Sequence, residues 1–291
     1  MQNDILDLIK DKRSEMSKGH RSVADYLLEH FDSAAYMTAQ NLGAAAGVSE
    51  STVVRFAAEL GLDGYPELQH RIQEASRHRL TSVQRIKLSE MRLGDDIPGS
   101  VLASDMEKIR DTMEQLSRDS FNRAMDDIDR AGNIYITGVR SSAALAQFLY
   151  YYLDIIYPNV KFIRSSGGSE IFEQLMRIKK NDVMIAISFP RYSSNIARAA
   201  DFAASAGAKV IAITDSASSP IARKAAEVLT ARSDMASFAD SLVAPLSIIN
   251  AMIAAAANRR QSELSATLGH LEDVWDEYNV YGAPGRSGED L

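Results

Sequence analysis

The chain has 291 residues, 46% of them hydrophobic, no cysteine, and a formal net charge of −7. That length suits about two domains, and the lack of cysteine excludes a disulfide framework and thiolate metal sites. No apolar run approaches the ~18 residues of a membrane span, and the start MQNDILDLIKDKR lacks the apolar stretch of a signal peptide. The expectation is therefore a cytoplasmic protein with no membrane, metal or cofactor partner.

Residues 1–78 read as all helical. Residues 22–31 form an amphipathic stretch with Val23, Ala24, Leu27 and Leu28 facing inward. Thr38 can cap a short helix through Gln40, Asn41, Leu42 and Ala45, and Ala46-Gly47-Val48 then makes a tight turn. Ser49 is a good N-cap, able to accept an amide hydrogen bond two or three residues on. After it, Val53, Phe56, Ala57 and Leu60 follow the i, i+3, i+4, i+7 spacing of a buried stripe. The opposite face carries Glu50, Ser51, Thr52, Arg55 and Glu59. Short hydroxyls and an arginine near a helix start are what a DNA major groove admits.

Three short helices with a glycine in the last turn form a helix-turn-helix. The candidate contacts to double-stranded DNA are Thr38, Gln40, Ser49, Glu50, Ser51, Thr52, Arg55 and Tyr65, the last either touching the DNA backbone or bracing the helix. Spacing alone leaves open an ordinary helical bundle that binds nothing. The charge balance weighs against the DNA reading: residues 1–80 hold 9 Lys/Arg against 12 Asp/Glu, whereas nucleic-acid domains are usually basic. Any positive surface must be local, drawn from Lys18, His20, Arg21, Arg55, Arg71, Arg77 and Arg79. An acidic module of this kind is expected to bind as a dimer or tetramer.

Gly61, Gly64 and Pro66 interrupt the helical pattern, which resumes over 67–80. Residues 79–100, ending in LGDDIPGS, read as a linker, and helices follow over 101–116 and 121–130. From Asn133 the pattern becomes strand-helix alternation: NIYITG, NVKFIRSSGG, DVMIAISFP, AKVIAITDS and EVLTAR as strands. The helices between and after them are expected at 142–157, 170–178, 194–206, from Ile221, and 242–260. Apolar strands alternating with helices imply a parallel sheet covered on both faces. The third region spans 101–281, and 282–291 reads as a disordered tail.

In such sheets ligands sit at the carboxyl ends of strands, near helix N-termini. ITGVRSSAALA offers Gly138, Arg140, Ser141 and Ser142 at the first such end. ISFPRYSSNIARAA offers Ser188, Arg191, Tyr192, Ser193 and Ser194 at another. Hydroxyls, amides and two arginines suit a small anion, phosphate or carboxylate. Taken singly, each serine could equally cap a helix and each arginine be solvated.

These residues resemble the RpiR family of bacterial transcription regulators, in which a helix-turn-helix precedes a sugar isomerase (SIS) domain. AAAGVSESTVVRFAAELGLDGYPEL is similar to the family's DNA-binding pattern, and GVRSSAALA and ISFPRYS stand at its two ligand loops. The resemblance covers roughly residues 1–280. It implies an all-α domain plus an α/β SIS domain, and a DNA-binding regulator, expected to repress carbohydrate catabolic genes under a phosphorylated sugar. It also assigns Ser142 to the phosphate-holding serine, and Ser188 and Ser193 to second-loop hydroxyl positions. Two departures stand out. Pro190, Arg191 and Tyr192 replace the usual Ser-Gly-Glu, and Arg140 replaces a glycine of the first loop. In the DNA-binding half Gly43 stands where alanine is usual, at about 1 kcal/mol in helix propensity.

Two other readings compete. A SIS-fold phosphosugar isomerase needs a base beside the substrate carbon, for which Glu170, Glu173 and His270 are the candidates; the glutamates also have a plainer role as favourable charge at a helix start. A non-DNA interaction module would account for the acidic N-terminal charge.

Overall fold

The computed structural model describes residues 5–76, 83, 85, 86, 95–164, 169–234 and 237–280, with the backbone alone at 32, 74 and 76. The chain divides into two units, Met1–Val101 together with Met235–Asp240, and Leu102–Asp234 together with Ser241–Leu291. The sequence has no signal for the short excursion at 235–240. The proposed tail, 282–291, and most of the proposed linker lie outside the described residues.

The first unit is helical: α1 (Ile5–Lys12), a 3-10 turn (Arg13–Glu15), α2 (Lys18–Glu29), α3 (Phe31–Ala34), α4 (Ala39–Ala46), α5 (Glu50–Glu59) and α6 (Gly64–Ser76). Ile9, Val23, Leu27, Leu42, Phe56 and Leu68 bury completely between them. Two expectations shift. The helix expected at 22–31 starts four residues earlier because Ser17 accepts the His20 amide as its cap, and it breaks at His30 before the separate turn of α3. Gly64 and Pro66 begin α6 rather than interrupting it, since proline is tolerated in a first turn whose amides have no intrahelical partner.

The second unit runs α7 (Ile97–Gln115, its first five residues in the first unit), α8 (Arg118–Asp129), β1 (Ile134–Gly138), α9 (Ser141–Ile156), β2 (Val160–Ile163), α10 (Glu170–Leu175), β3 (Val183–Ile187), α11 (Ser194–Ser205), β4 (Lys209–Thr214), β5 (Glu227–Thr230), α12 (Val243–Arg259) and α13 (Gln261–Glu277). All five strands are parallel, in the order β2-β1-β3-β4-β5. Alternate residues serve opposite faces. Ile134, Ile136, Ile185, Ile187 and Ile211 join the layer of α8, α9 and α12, while Tyr135, Met184, Ala186 and Val210 join that of α10 and α11. Burial on both faces is why these strands read as unbroken apolar runs.

The helix expected from Ile221 is absent. Residues 220–224 form turns, with Ala222 and Ala225 bonding three residues back, because β5 begins at Glu227 and leaves no room for a crossover helix. The last helical stretch also extends beyond 260, with a bend at Arg260 (φ −116°, ψ 36°) dividing α12 from α13. Among the described residues no helix is long and apolar enough to cross a membrane, and no cluster of His, Asp or Glu could hold a metal ion.

Candidate functional site

In the first unit, α4 and α5 are held by a close backbone approach. Gly47 takes the left-handed conformation (φ 71°) that ends α4, and the Val48 amide bonds the Gly43 carbonyl at 2.9 Å. A Cβ on Gly43 would stand 2.9 Å from the Val48 carbonyl oxygen. The propensity lost at Gly43 is thus offset by the tight turn that glycine permits. Thr38 caps α4 through the Asn41 amide, and Gln40 is exposed on its first turn.

Ser49 sits at the N-cap of α5, but its side chain takes no amide as expected. Its hydroxyl instead bonds those of Ser51 and Thr52, both at 2.9 Å. Arg55 folds back along the helix, its Nε donating to the Ser51 carbonyl at 3.1 Å. Ser49, Glu50, Ser51 and Arg55 are exposed and Thr52 half-buried. Val54 lies among them, 42% exposed, and the polar pattern of the sequence does not single it out. Its signal was a position off the core stripe, and an apolar group there suits a thymine methyl.

Tyr65 does not share this face. It is buried, and its hydroxyl donates to the Met37 carbonyl at 2.7 Å, beside the Gln69 amide that donates to the same oxygen. Burial pushes its phenol up to about 12. Of its two expected roles, Tyr65 takes the brace, and it is withdrawn as a DNA contact. Several basic groups are already paired: Arg13 with Asp25, Arg71 with Glu67, and His20 with Glu59. Arg77 and Arg79 lie outside the described residues.

In the second unit the strand order brings the two predicted loops together. β1 and β3 are neighbours, with Gly138 level with Ile187, and β2 lies on the other side of β1. The order therefore reverses between β1 and β3, and in open parallel sheets the ligand crevice lies at that switch point. Sequence spacing could not reveal this adjacency.

On the β1 side, a Cβ on Gly138 would meet the Ser142 carbonyl oxygen at 2.6 Å, so glycine lets the first turn of α9 close onto the strand end. Arg140 adopts φ 55°, ψ −130°, and Ser141 and Ser142 open α9, Ser142 buried. On the β3 side Ser188 is buried, Arg191 adopts φ 62°, and Ser193 and Ser194 begin α11. Both loops thus hold an exposed arginine at positive φ, a conformation uncommon outside glycine, costing of order 1–3 kcal/mol, that clusters at ligand sites. The Tyr192 hydroxyl donates to Asp215 at 2.6 Å and Thr214 to the same carboxylate at 3.3 Å, tying the β3 loop to the β4 loop.

The sequence pattern does not mark that third loop as part of a site. Ser219 is 3% exposed and its hydroxyl finds no partner among the described residues, a cost of about 1–3 kcal/mol unless a ligand or water supplies one. The signal was the hydroxyl-rich TDSASSP after an apolar strand. Glu170 and Glu173 open α10, which follows β2, and His270 is exposed on α13. None of the three lies on the β1 or β3 loop.

The family model described as "Helix-turn-helix domain, rpiR family" matches residues 3–78, and that of the SIS domain matches residues 127–255. The N-terminal region is therefore a helix-turn-helix domain of the rpiR family, followed by a SIS domain. The chain is 26% identical over 232 residues to the HTH-type transcriptional regulator HexR of Escherichia coli (strain K12), covering 78% of this chain and 77% of HexR. The RpiR transcription factor of Sphaerobacter thermophilus (sugar isomerase domain) has a TM-score of 0.59 at 29% identity, over 62% of this chain and 99% of that one. The Vibrio vulnificus NanR protein complexed with ManNAc-6P shares the fold, with a TM-score of 0.59 at 22% identity over 94% and 98% of the two chains. An RpiR-family helix-turn-helix is thus joined here to a SIS domain.

Proposed function

We propose that this protein is a homo-oligomeric, DNA-binding transcriptional repressor without enzymatic activity, governed by a small anion held at the carboxyl ends of β1 and β3. Ser51, Thr52, Val54 and Arg55 read base edges in the major groove, with Ser49, Glu50, Thr38 and Gln40 flanking them. Gly138, Arg140, Ser141 and Ser142 from one loop and Ser188, Arg191, Tyr192, Ser193 and Ser194 from the other surround the anion, and Ser219 adds a hydroxyl. A phosphorylated sugar is the ligand class, in keeping with the ManNAc-6P named for NanR. The observation that carries the reading is the meeting at the switch point of two loops, each with an arginine at positive φ. Control of DNA binding requires that the anion bind the two states of the protein unequally.

The test is a gel shift with DNA upstream of the gene and its neighbours, with and without candidate sugar phosphates. A specific shift that a sugar phosphate weakens is expected; no specific shift at low salt sinks the regulator reading. In calorimetry, Arg191→Ala weakens effector binding while operator binding persists, and unchanged effector affinity refutes the placement. An isomerase activity lost on Glu170→Ala would promote the enzyme reading.

A further inference from the structure

Helix α7 is built inside out. Its polar face packs on its own unit: Lys108 and Thr112 are each 4% exposed. The Ser241 hydroxyl donates to Asp105 at 2.6 Å, and the Arg232 amide donates to the Thr112 hydroxyl at 2.9 Å. Lys108 donates to Ser104 at 2.6 Å. The apolar face looks outward instead, with Leu102 63%, Met106 62%, Ile109 38% and Met113 57% exposed. A helix stable as part of a lone subunit shows the reverse arrangement, and a contiguous exposed apolar stripe marks an interaction surface.

We infer that this stripe is the seam along which a second copy of the chain pairs, helix α7 against helix α7, antiparallel. Three observations select that occupant. Positions 102, 106, 109 and 113 repeat at intervals of 4, 3 and 4, the a/d spacing of a helix that packs on another helix. The stripe is its own complement about a two-fold axis between 107 and 108, which sets Leu102 against Met113 and Met106 against Ile109 of the partner subunit. The flank with Asp105 and Thr112 is closed by the helix's own unit, so a partner can approach only along the flank of Ala103, Glu107, Arg110 and Glu114, which is exposed. Like flank meets like flank only when the helices run antiparallel, and Arg110 then comes beside Glu107 of the partner subunit. This lets two chains of net charge −7 meet through a locally matched pair of signs.

The seam names the surface behind the pairing in the functional reading above, yet it fails separately, because it is tested without DNA. The wild-type chain is expected to sediment as two or four copies of the 31.9 kDa subunit. Met106→Glu/Ile109→Glu is expected at half that mass with an unchanged far-ultraviolet spectrum at ambient temperature, since neither side chain is buried within its own subunit. Arg55→Ala keeps the wild-type mass. The chain contains no cysteine, so single-cysteine variants report register directly. A short bismaleimide joins two Met106→Cys subunits near the axis but not two Leu102→Cys subunits, which lie about 16 Å apart along antiparallel helices. A wild type that sediments as one chain, a charged variant of unchanged mass, or efficient linking of Leu102→Cys each overturns the proposal.

Discussion

The two units differ in whether residues other than glycine take positive φ, although the second also has Gly207 there. Among the described residues of the helix-turn-helix unit, the left-handed positions are Gly47 and Gly61 in turns and Gly64 at the first residue of α6. Glycine takes this conformation without penalty, so these turns follow local rules and the helices can be read from the chain. In the SIS unit the two strand-end loops place Arg140 and Arg191 there. Strain at paired positions beside a switch point is what the proposed anion site would account for. In that proposal the first unit presents side chains to DNA, and the second holds the anion between loops of strained backbone.

Mutations can break or sharpen this contrast. The largest effect is expected at the reading helix: Arg55→Ala should weaken specific operator binding about 10- to 100-fold, the ~1–3 kcal/mol of a good base contact, measured by fluorescence anisotropy at fixed salt. Equal loss on unrelated DNA would make Arg55 a phosphate contact instead. Next, Gly138→Ala forces a Cβ against the Ser142 carbonyl and should cost about 1–3 kcal/mol in denaturant unfolding. An unchanged midpoint would show that the α9 start yields freely.

A paired test bears on the contrast itself. Gly47→Ala should destabilise by about 1 kcal/mol, because alanine resists φ 71°. Arg191→Gly should stabilise by about 1 kcal/mol or less while blunting the effector response, because glycine relieves φ 62°. If Arg191→Gly destabilises, the loop is not strained and the contrast falls. The smallest effect belongs to Tyr65→Phe, about 1 kcal/mol for a buried hydrogen bond whose acceptor Gln69 still satisfies. Operator affinity should not change, since Tyr65 is a brace; a marked loss would return it to the interface.

Much of the fold was legible. The stripe of Val53, Phe56 and Ala57 and the apolar runs of β1, β3 and β4 follow helical and strand periods that burial imposes on sequence. Most of what escaped depended on partners distant in the chain. The start of α2 hung on the local cap of Ser17, but Tyr65's role rested on a carbonyl 28 residues away, and Ser219 mattered only because packing closed over it. Helix α7 is the sharpest case. Its period was readable, but period says only that two faces differ, not which one the protein buries.

By itself the sequence determined most of the order of elements, the helix-turn-helix, the parallel class of the sheet and the hydroxyl-and-arginine character of two strand-end loops. Periodicity, caps and glycine turns are local properties of the backbone. Only the tertiary structure decided that β1 and β3 lie side by side, that α7 faces its apolar residues outward, and that Tyr65 turns inward. Strand order and the direction of a face are set by contacts between segments far apart in the chain, which no local pattern encodes.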